Sequence, residues 1–300
     1  MPLAEWRQTR DTVQLWTQIL GKVRMANTAV LNHWWNVPLY VSATGLTTSL
    51  IPHPSGKSFQ ADLDFHAHRL EIVTSAGRRR SIALGPGPIA AFYAGVMRHL
   101  DELGVGTSIW PMPVEIDGAL RMDIDTAYRS YDPDQAHRFW QALVRIAGVF
   151  EQFRAGFVGK SSPVHLFWGA LDLATTRFSG RPAPAHPGGA PHCGPHVMLE
   201  AYSHEVSSLG YWPGGAAEGI FYSYAYPQPE GYRDTPVRPP AASWNDDLAE
   251  FVLPYEHVRS AADPERMLLE FAQTTYEAAA DAAGWNRTSL ERTPPRQGPA

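Results

Sequence analysis

The chain has 300 residues, 44% of them hydrophobic and 18% charged, with a formal net charge of −5; these are globular values that exclude global disorder, and the acidic balance argues against nucleic acid or an anionic membrane as the main partner. No apolar run approaches the roughly 18 residues of a membrane span, and the amphipathic start lacks the pattern of a signal peptide. The single cysteine, Cys193, excludes an internal disulfide framework and fits the cytoplasm.

Ten tryptophans and 26 prolines point to a sheet-rich body with many turns, and an aromatic-lined cavity is one use for so many rings. Residues 3–30 read as a helix, because Trp6, Val13, Trp16, Leu20, Val23 and Val30 recur on one face. Strands are expected at 39–43 and 46–51, joined by a turn at Thr44-Gly45. Residues 58–65 alternate strictly, with Phe59, Ala61, Leu63 and Phe65 on one side and Gln60, Asp62 and Asp64 on the other, the pattern of a half-buried antiparallel strand. Further strands follow at 69–74 and 80–84. A helix over 88–103 opens on Pro88 and stops at Gly104. Residues 107–116 read as extended, at a sheet edge at best because of Pro111 and Pro113.

Residues 118–132 are polar and irregular and read as a linker. Asp132-Pro133 with Gln135 is a helix start, and Phe139, Leu143, Ile146, Phe150, Phe153 and Phe157 carry that helix toward Gly159. Residues 161–181 form an apolar, β-prone stretch of two strands that contains His165, Asp172 and Arg177. Burying such groups costs several kcal/mol, by order of magnitude, unless each finds a partner. A Pro- and Gly-rich loop follows over 181–195, then strands at 200–209 and 219–226, a second Pro-rich loop over 227–240, and one strand or a bent pair within 242–255. Asp263-Pro264 starts the last helix, which ends at Gly284, and residues 286–300 read as a disordered tail.

The two halves share an order of long helix, strands and shorter helix. Residues 39–48 align without a gap on residues 166–175, with identities at Leu39/Leu166, Ala43/Ala170, Leu46/Leu173 and Thr48/Thr175. This suggests an internal repeat. The alignment sets Gly45 against Asp172. A turn favours both residues, so Asp172 reads as a turn residue and leaves the leading functional set.

Chemistry-bearing side chains concentrate in the second half. His186, His192, Cys193 and His196 are of the types zinc prefers, but their spacing matches no finger or ribbon. Around His204-Glu205, strand alternation sends the two side chains to opposite faces. His204 is either a proton carrier or metal ligand, or a sheet histidine bonded to a neighbour. Arg177 either grips a carboxylate or phosphate or forms a buried bridge with Asp172, Glu200 or Glu205. No nucleophile elbow, phosphate loop or dinucleotide fingerprint is present, so no cofactor is indicated.

Several motifs together resemble a bacterial family catalogued only as a domain of unknown function, family 5996. They include Gly21-Lys22, Asn32-His33-Trp34-Trp35, Met112-Pro113-Val114-Glu115, Ser162-Pro163-Val164-His165, Phe167-Trp168-Gly169, Thr176-Arg177-Phe178-Ser179, His186-Pro187-Gly188-Gly189 and Tyr202-Ser203-His204-Glu205. The resemblance spans about residues 3–285 and implies no activity. His192, Cys193 and His196 fall outside its motifs, which weakens the loop as a metal site.

The sequence therefore predicts an α+β protein of two related α-β-β-β-β-α modules with antiparallel sheets: residues 1–117, a linker over 118–132, residues 133–285, and a tail over 286–300. The best functional reading is a small-molecule-binding protein or enzyme with a polar cleft in the second half. His165, His204 and Glu205 are its candidate catalytic residues, and Arg177, His186 and Trp168 its candidate substrate contacts. Metal-assisted hydrolysis is a variant, with His186, His204 and Glu205 as ligand candidates. The alternative is a non-catalytic structural or interaction protein, in which His165 and Arg177 are buried and fully bonded.

Overall fold

The computed structural model describes residues 2–292. The fold is α+β, with antiparallel sheets and helices packed on them. The first half runs α1 (Leu3–Asn27), a 3-10 turn (Asn32–Trp34), β1 (Tyr40–Val41), β2 (Gly45–Thr47), β3 (Ile51–Pro52), β4 (Ser58–Asp64), β5 (Arg69–Thr74), β6 (Arg79–Ala83), β7 (Gly87–Pro88) and α2 (Ile89–Leu103). The second runs β8 (Tyr128–Arg129), α3 (Pro133–Ala155), β9 (His165–Phe167), β10 (Asp172–Pro182), α4 (Pro195–Ala201), β11 (His204–Trp212), β12 (Ile220–Tyr226), a 3-10 turn (Tyr232–Asp234), β13 (Ser243–Asn245), β14 (Glu250–Pro254), α5 (Tyr255–Arg259), α6 (Pro264–Ala282) and α7 (Arg287–Leu290).

The first sheet has the order β1-β2-β4-β5-β6, with β3 also on β4, and the second β13-β14-β12-β11-β10-β9. The alternation expected in β4 is realised: Phe59, Ala61 and Leu63 are buried, and the residues between them are partly exposed. The Asp132 cap is realised as well, its side chain accepting from the Gln135 amide at 3.0 Å. One strand was expected over 46–51. The chain instead breaks at Ser49, whose φ is +51°, and there Arg24 Nη1 donates to the Thr48 carbonyl and to Ser49 Oγ. The strand expected to start at 200 starts at His204, because Pro195 opens a short helix first.

The segment read as a linker is built into the core. Met122 is fully buried, and Asp125 and Tyr131 nearly so. Thr12 Oγ1 donates to the Ser130 carbonyl at 2.7 Å, and Trp16 packs on Tyr131 with ring centres 5.0 Å apart. One continuous apolar cluster runs from α1 through both sheets to α6. The first residues of the expected tail are also tied down. The Asn286 side chain accepts from the Ser289 amide to cap α7, and the Arg292 amide donates to the Gly156 carbonyl at 2.9 Å. Residues 293–300 of that expected tail lie outside the described residues.

The two hairpins that suggested a repeat meet edge to edge. Leu39 and Leu166 exchange backbone hydrogen bonds of 2.9 and 2.7 Å, so β1 and β9 join the two sheets. Val41 pairs with Leu46, and Phe167 with Asp172. The two turns thus superpose one residue away from the sequence alignment.

Candidate functional site

The second sheet has two different faces. Residues Leu173, Thr175 and Arg177 of β10 turn toward α3 and α6, and the alternate set, Asp172, Ala174, Thr176 and Phe178, turns the other way. On that second face the sheet floors a cavity of about 620 Å³, within the usual range of about 300–1,000 Å³ for small-molecule sites. Its roof comes from four remote segments: the end of α1, the 3-10 turn with Trp34 and Trp35, the loop with Trp110 and Glu115, and the segment from Ala190 into α4.

Each roof piece is held by a specific contact. Gln18 exchanges hydrogen bonds with the Val114 backbone, both 2.9 Å, and the Glu115 amide donates to the Pro191 carbonyl at 2.8 Å. Glu115, held from both sides, adopts a φ of +58°, a conformation that costs of order 1–3 kcal/mol in a non-glycine residue. His33 and Trp34 are also left-handed, at +58° and +61°. They are fastened to the α4 region: His33 Nδ1 lies 3.0 Å from the Ala201 carbonyl, and Trp34 Nε1 donates to the Val197 carbonyl at 3.0 Å. Lys160 Nζ lies 2.7 Å from His33 Nε2, so the ring is neutral, with its proton on Nδ1 and Nε2 accepting. Trp168 Nε1 donates to the Val37 carbonyl at 2.9 Å, and its indole fills the notch left by Gly21, where a Cβ would collide with the ring.

The polar floor centres on Asp172. Tyr222 Oη donates to Asp172 Oδ2 at 2.5 Å. Tyr222 stands against Gly210 and Glu115 against Gly169, and a side chain at either glycine would occupy the same space. The Tyr222 and Tyr224 rings stack at 6.1 Å, Tyr224 and Tyr202 share a hydroxyl hydrogen bond of 2.7 Å, and Thr176 and Ser208 share one of 3.0 Å. Lys22 Nζ lies 5.1 Å from the Trp110 ring centre and 5.6 Å from that of Trp168.

Burial dominates the titration of these groups. Desolvation raises Asp172 to about 6, the Tyr222 hydrogen bond opposing it. Glu115 and Glu250 are raised to about 7 by desolvation and then by the Asp172 charge. Glu115 is nonetheless exposed to solvent, so desolvation weighs less on it than on the partly exposed Asp172. Desolvation lowers Lys22 to about 8. It also lowers His165 to about 3, with Arg154 and Arg24 adding to the effect, so that ring is neutral. The cavity thus holds groups able to accept and to donate protons near neutrality.

Of the residues singled out by sequence, His165 and Trp168 line the cavity. His165 is 1% exposed, and its Nδ1 has no partner among the described residues. His204 lies on the cavity face of β11 but at its margin, 5.8 Å from the His33 ring, with Nδ1 3.0 Å from Ser203 Oγ. His186 stacks behind Tyr202 at 4.5 Å. Arg177 and Glu205 are not brought to this cavity. The Arg177 guanidinium lies 3.5 Å from the Phe153 ring centre and 4.2 Å from that of Tyr276. Glu205 Oε2 accepts from Ser179, Arg181 and Trp285 on the helix side, where it borders a second cavity of about 230 Å³. Its separation from His204 is the one strand alternation predicts. The metal candidates His186, His204 and Glu205 therefore stand apart, and no group of three or more His, Cys, Asp or Glu among the described residues is arranged to hold a metal ion. His192, Cys193 and His196, by contrast, lie in the cavity wall.

Sequence reasoning set Asp172 aside and passed over Lys22, Glu115 and the β12 tyrosines. The spacing of Tyr222, Tyr224 and Tyr226 at every second position was the available signal, since it places three hydroxyl-bearing rings on one face of a strand.

An α+β protein with an aromatic cavity, floored by a carboxylate–tyrosine pair and roofed from both halves of the chain, is the class that fold and site define. The chain belongs to the family of unknown function DUF5996, whose family model matches residues 1–292. No curated protein and no solved structure matches it. No helix among the described residues is long and apolar enough to cross a membrane.

Proposed function

We propose that this protein binds a largely apolar small molecule in the aromatic cavity, with Asp172 and Tyr222 as the groups that engage and exchange a proton with its polar part. The observation that carries this reading is the 2.5 Å Tyr222–Asp172 hydrogen bond set in the floor of a 620 Å³ cavity. A purely structural carboxylate has no need of such a cavity in front of it. The structural alternative expects His165 and Arg177 to be fully bonded, whereas His165 Nδ1 and Arg177 Nε lack partners among the described residues. Enzymatic use follows if the ligand reacts by proton transfer, because a carboxyl near neutrality is suited to it. The acidic balance and single cysteine support a cytoplasmic protein that does not act on nucleic acid.

The test uses the neutral fluorophore N-phenyl-1-naphthylamine, which brightens in apolar surroundings. Native protein is expected to enhance its emission saturably, and Ala174→Phe, which fills the floor beside Thr176, is expected to abolish the effect while retaining the native circular dichroism. Absence of saturable enhancement in the native protein, or equal enhancement in the filled variant, rejects the cavity as a binding site.

A further inference from the structure

The lining of the cavity is unbalanced in charge. Asp172 and Glu115 both face it, and Lys22 is the one lysine or arginine in its wall among the described residues. Neither carboxylate forms an ion pair among the described residues. Asp172 gives Oδ2 to the neutral Tyr222 hydroxyl. Glu115 packs on Gly169, and only its backbone is fastened. From β14, Glu250 adds a third carboxyl close enough for the Asp172 charge to raise it. Asp172 is only partly exposed and Glu115 is exposed, and carboxyls gathered at one cavity repel one another when ionised and gain from an opposite charge beside them. Here the described residues supply none.

The walls show which partner fits. Trp34, Trp35, Trp110 and Trp168 present indole rings to the cavity, and an indole face is the aromatic surface a cation prefers. The protein already uses two of them in this way: the Lys22 ammonium sits over Trp110 and Trp168. The remaining polar groups do not favour an anion. His165 and His33 are lowered toward the neutral form by burial, and the Tyr202, Tyr224, Thr176 and Ser208 hydroxyls are engaged with one another.

We propose that the cavity, read above as a small-molecule site, takes an organic cation, its ammonium group against Asp172 and Glu115 and its apolar body among the tryptophans. This inference rests on the cavity reading and adds the sign of the ligand's charge. A cation beside the carboxyls favours their ionised forms. The groups facing Asp172 and Glu115 are Tyr222 and Tyr224 from β12, Tyr202 after α4, Glu250 from β14, His165 from β9, Lys22 from α1 and Cys193 from the loop. The carboxyls release protons most readily as a cation arrives, so binding a permanent cation at pH 7 releases protons into the buffer.

A matched series tests this by isothermal titration calorimetry: phenethyltrimethylammonium, 2-phenylethanol and 3-phenylpropionate, each in two buffers of different ionisation enthalpy. The ammonium is expected to bind at least about tenfold more tightly than the alcohol, with net proton release and with affinity that rises from pH 5 to pH 8. Because its own charge is fixed, that pH dependence belongs to the protein. Asp172→Asn is expected to narrow the ammonium's advantage over the alcohol and to reduce the proton release. Equal binding of alcohol and ammonium, or a preference for the carboxylate, overturns the cation assignment and leaves the cavity reading standing. Failure of all three to bind, together with no response to the naphthylamine, overturns both.

Discussion

At the scale of the residue, the site turns on Asp172. The left-handed residue of its hairpin is Leu171, at φ +63°, one position earlier than sequence comparison placed the turn. That single step makes Asp172 the first strand residue and aims it into the cavity. Lys22 and Glu115 were illegible for a different reason. Each becomes a site residue only through neighbours contributed by distant segments, such as Trp168 for Lys22 and Gly169 for Glu115, and no local spacing encodes that. The cost of Asp172 can be measured. Its folded pKa, about 6, lies above the ordinary aspartate value of 3.8. Its favourable contribution is therefore fully present below pH ~4 and is lost as the pH rises through ~6. Asp172→Asn, which can still accept from Tyr222, is expected to stabilise the protein at pH 8 by on the order of 1–2 kcal/mol, after discounting for solvent in the cavity. The gain shrinks at pH 5, and urea denaturation at the two pH values checks it.

At the scale of the element, β10 separates two jobs by parity. From Asp172 to Phe178 its even residues face the cavity, and its odd residues face α3 and α6. His165 and Arg177 lie on the two arms of one hairpin. The register, with His165 opposite Ala174, sends them to opposite faces, and that register depends on a turn length that apolar periodicity does not reveal. Arg177 is consequently a packing residue: it is 2% exposed, its ring contacts come from Phe153 and Tyr276, and its Nη2 donates to the Phe153 carbonyl. Arg177→Ala is expected to cost about 2–4 kcal/mol, because it opens a void and strips the Phe153 and Tyr276 rings of their packing partner. Arg177→Met, which refills most of that volume, is expected to recover the larger part. Neither substitution should weaken N-phenyl-1-naphthylamine binding in folded protein, and a selective loss of binding in Arg177→Met would place the guanidinium in the site after all.

At the scale of the whole molecule, the helix–strands–helix order of each half was readable, because amphipathic periodicity and Pro and Gly punctuation are local signals. The joint between the halves was not. The segment over 118–132 is polar on average, yet Met122 and Tyr131 are buried in the shared core. Across that joint Thr9 Oγ1 donates to Gln135 Oε1 at 2.8 Å, and Trp6 packs on Phe139 at 5.0 Å. A core shared in this way couples the halves, so calorimetry is expected to record one unfolding transition with agreeing calorimetric and van't Hoff enthalpies. Two resolved transitions would show that the halves are separable units.

The seam between Leu39 and Leu166 has a further effect. β1 and β9 are each the last strand of their sheet, and each lends its outer edge to the other. A bare strand edge is a template for pairing with a foreign chain. Two backbone hydrogen bonds that join the sheets therefore also guard against aggregation, and a substitution that loosens the seam would make the protein self-adhesive before it unfolds.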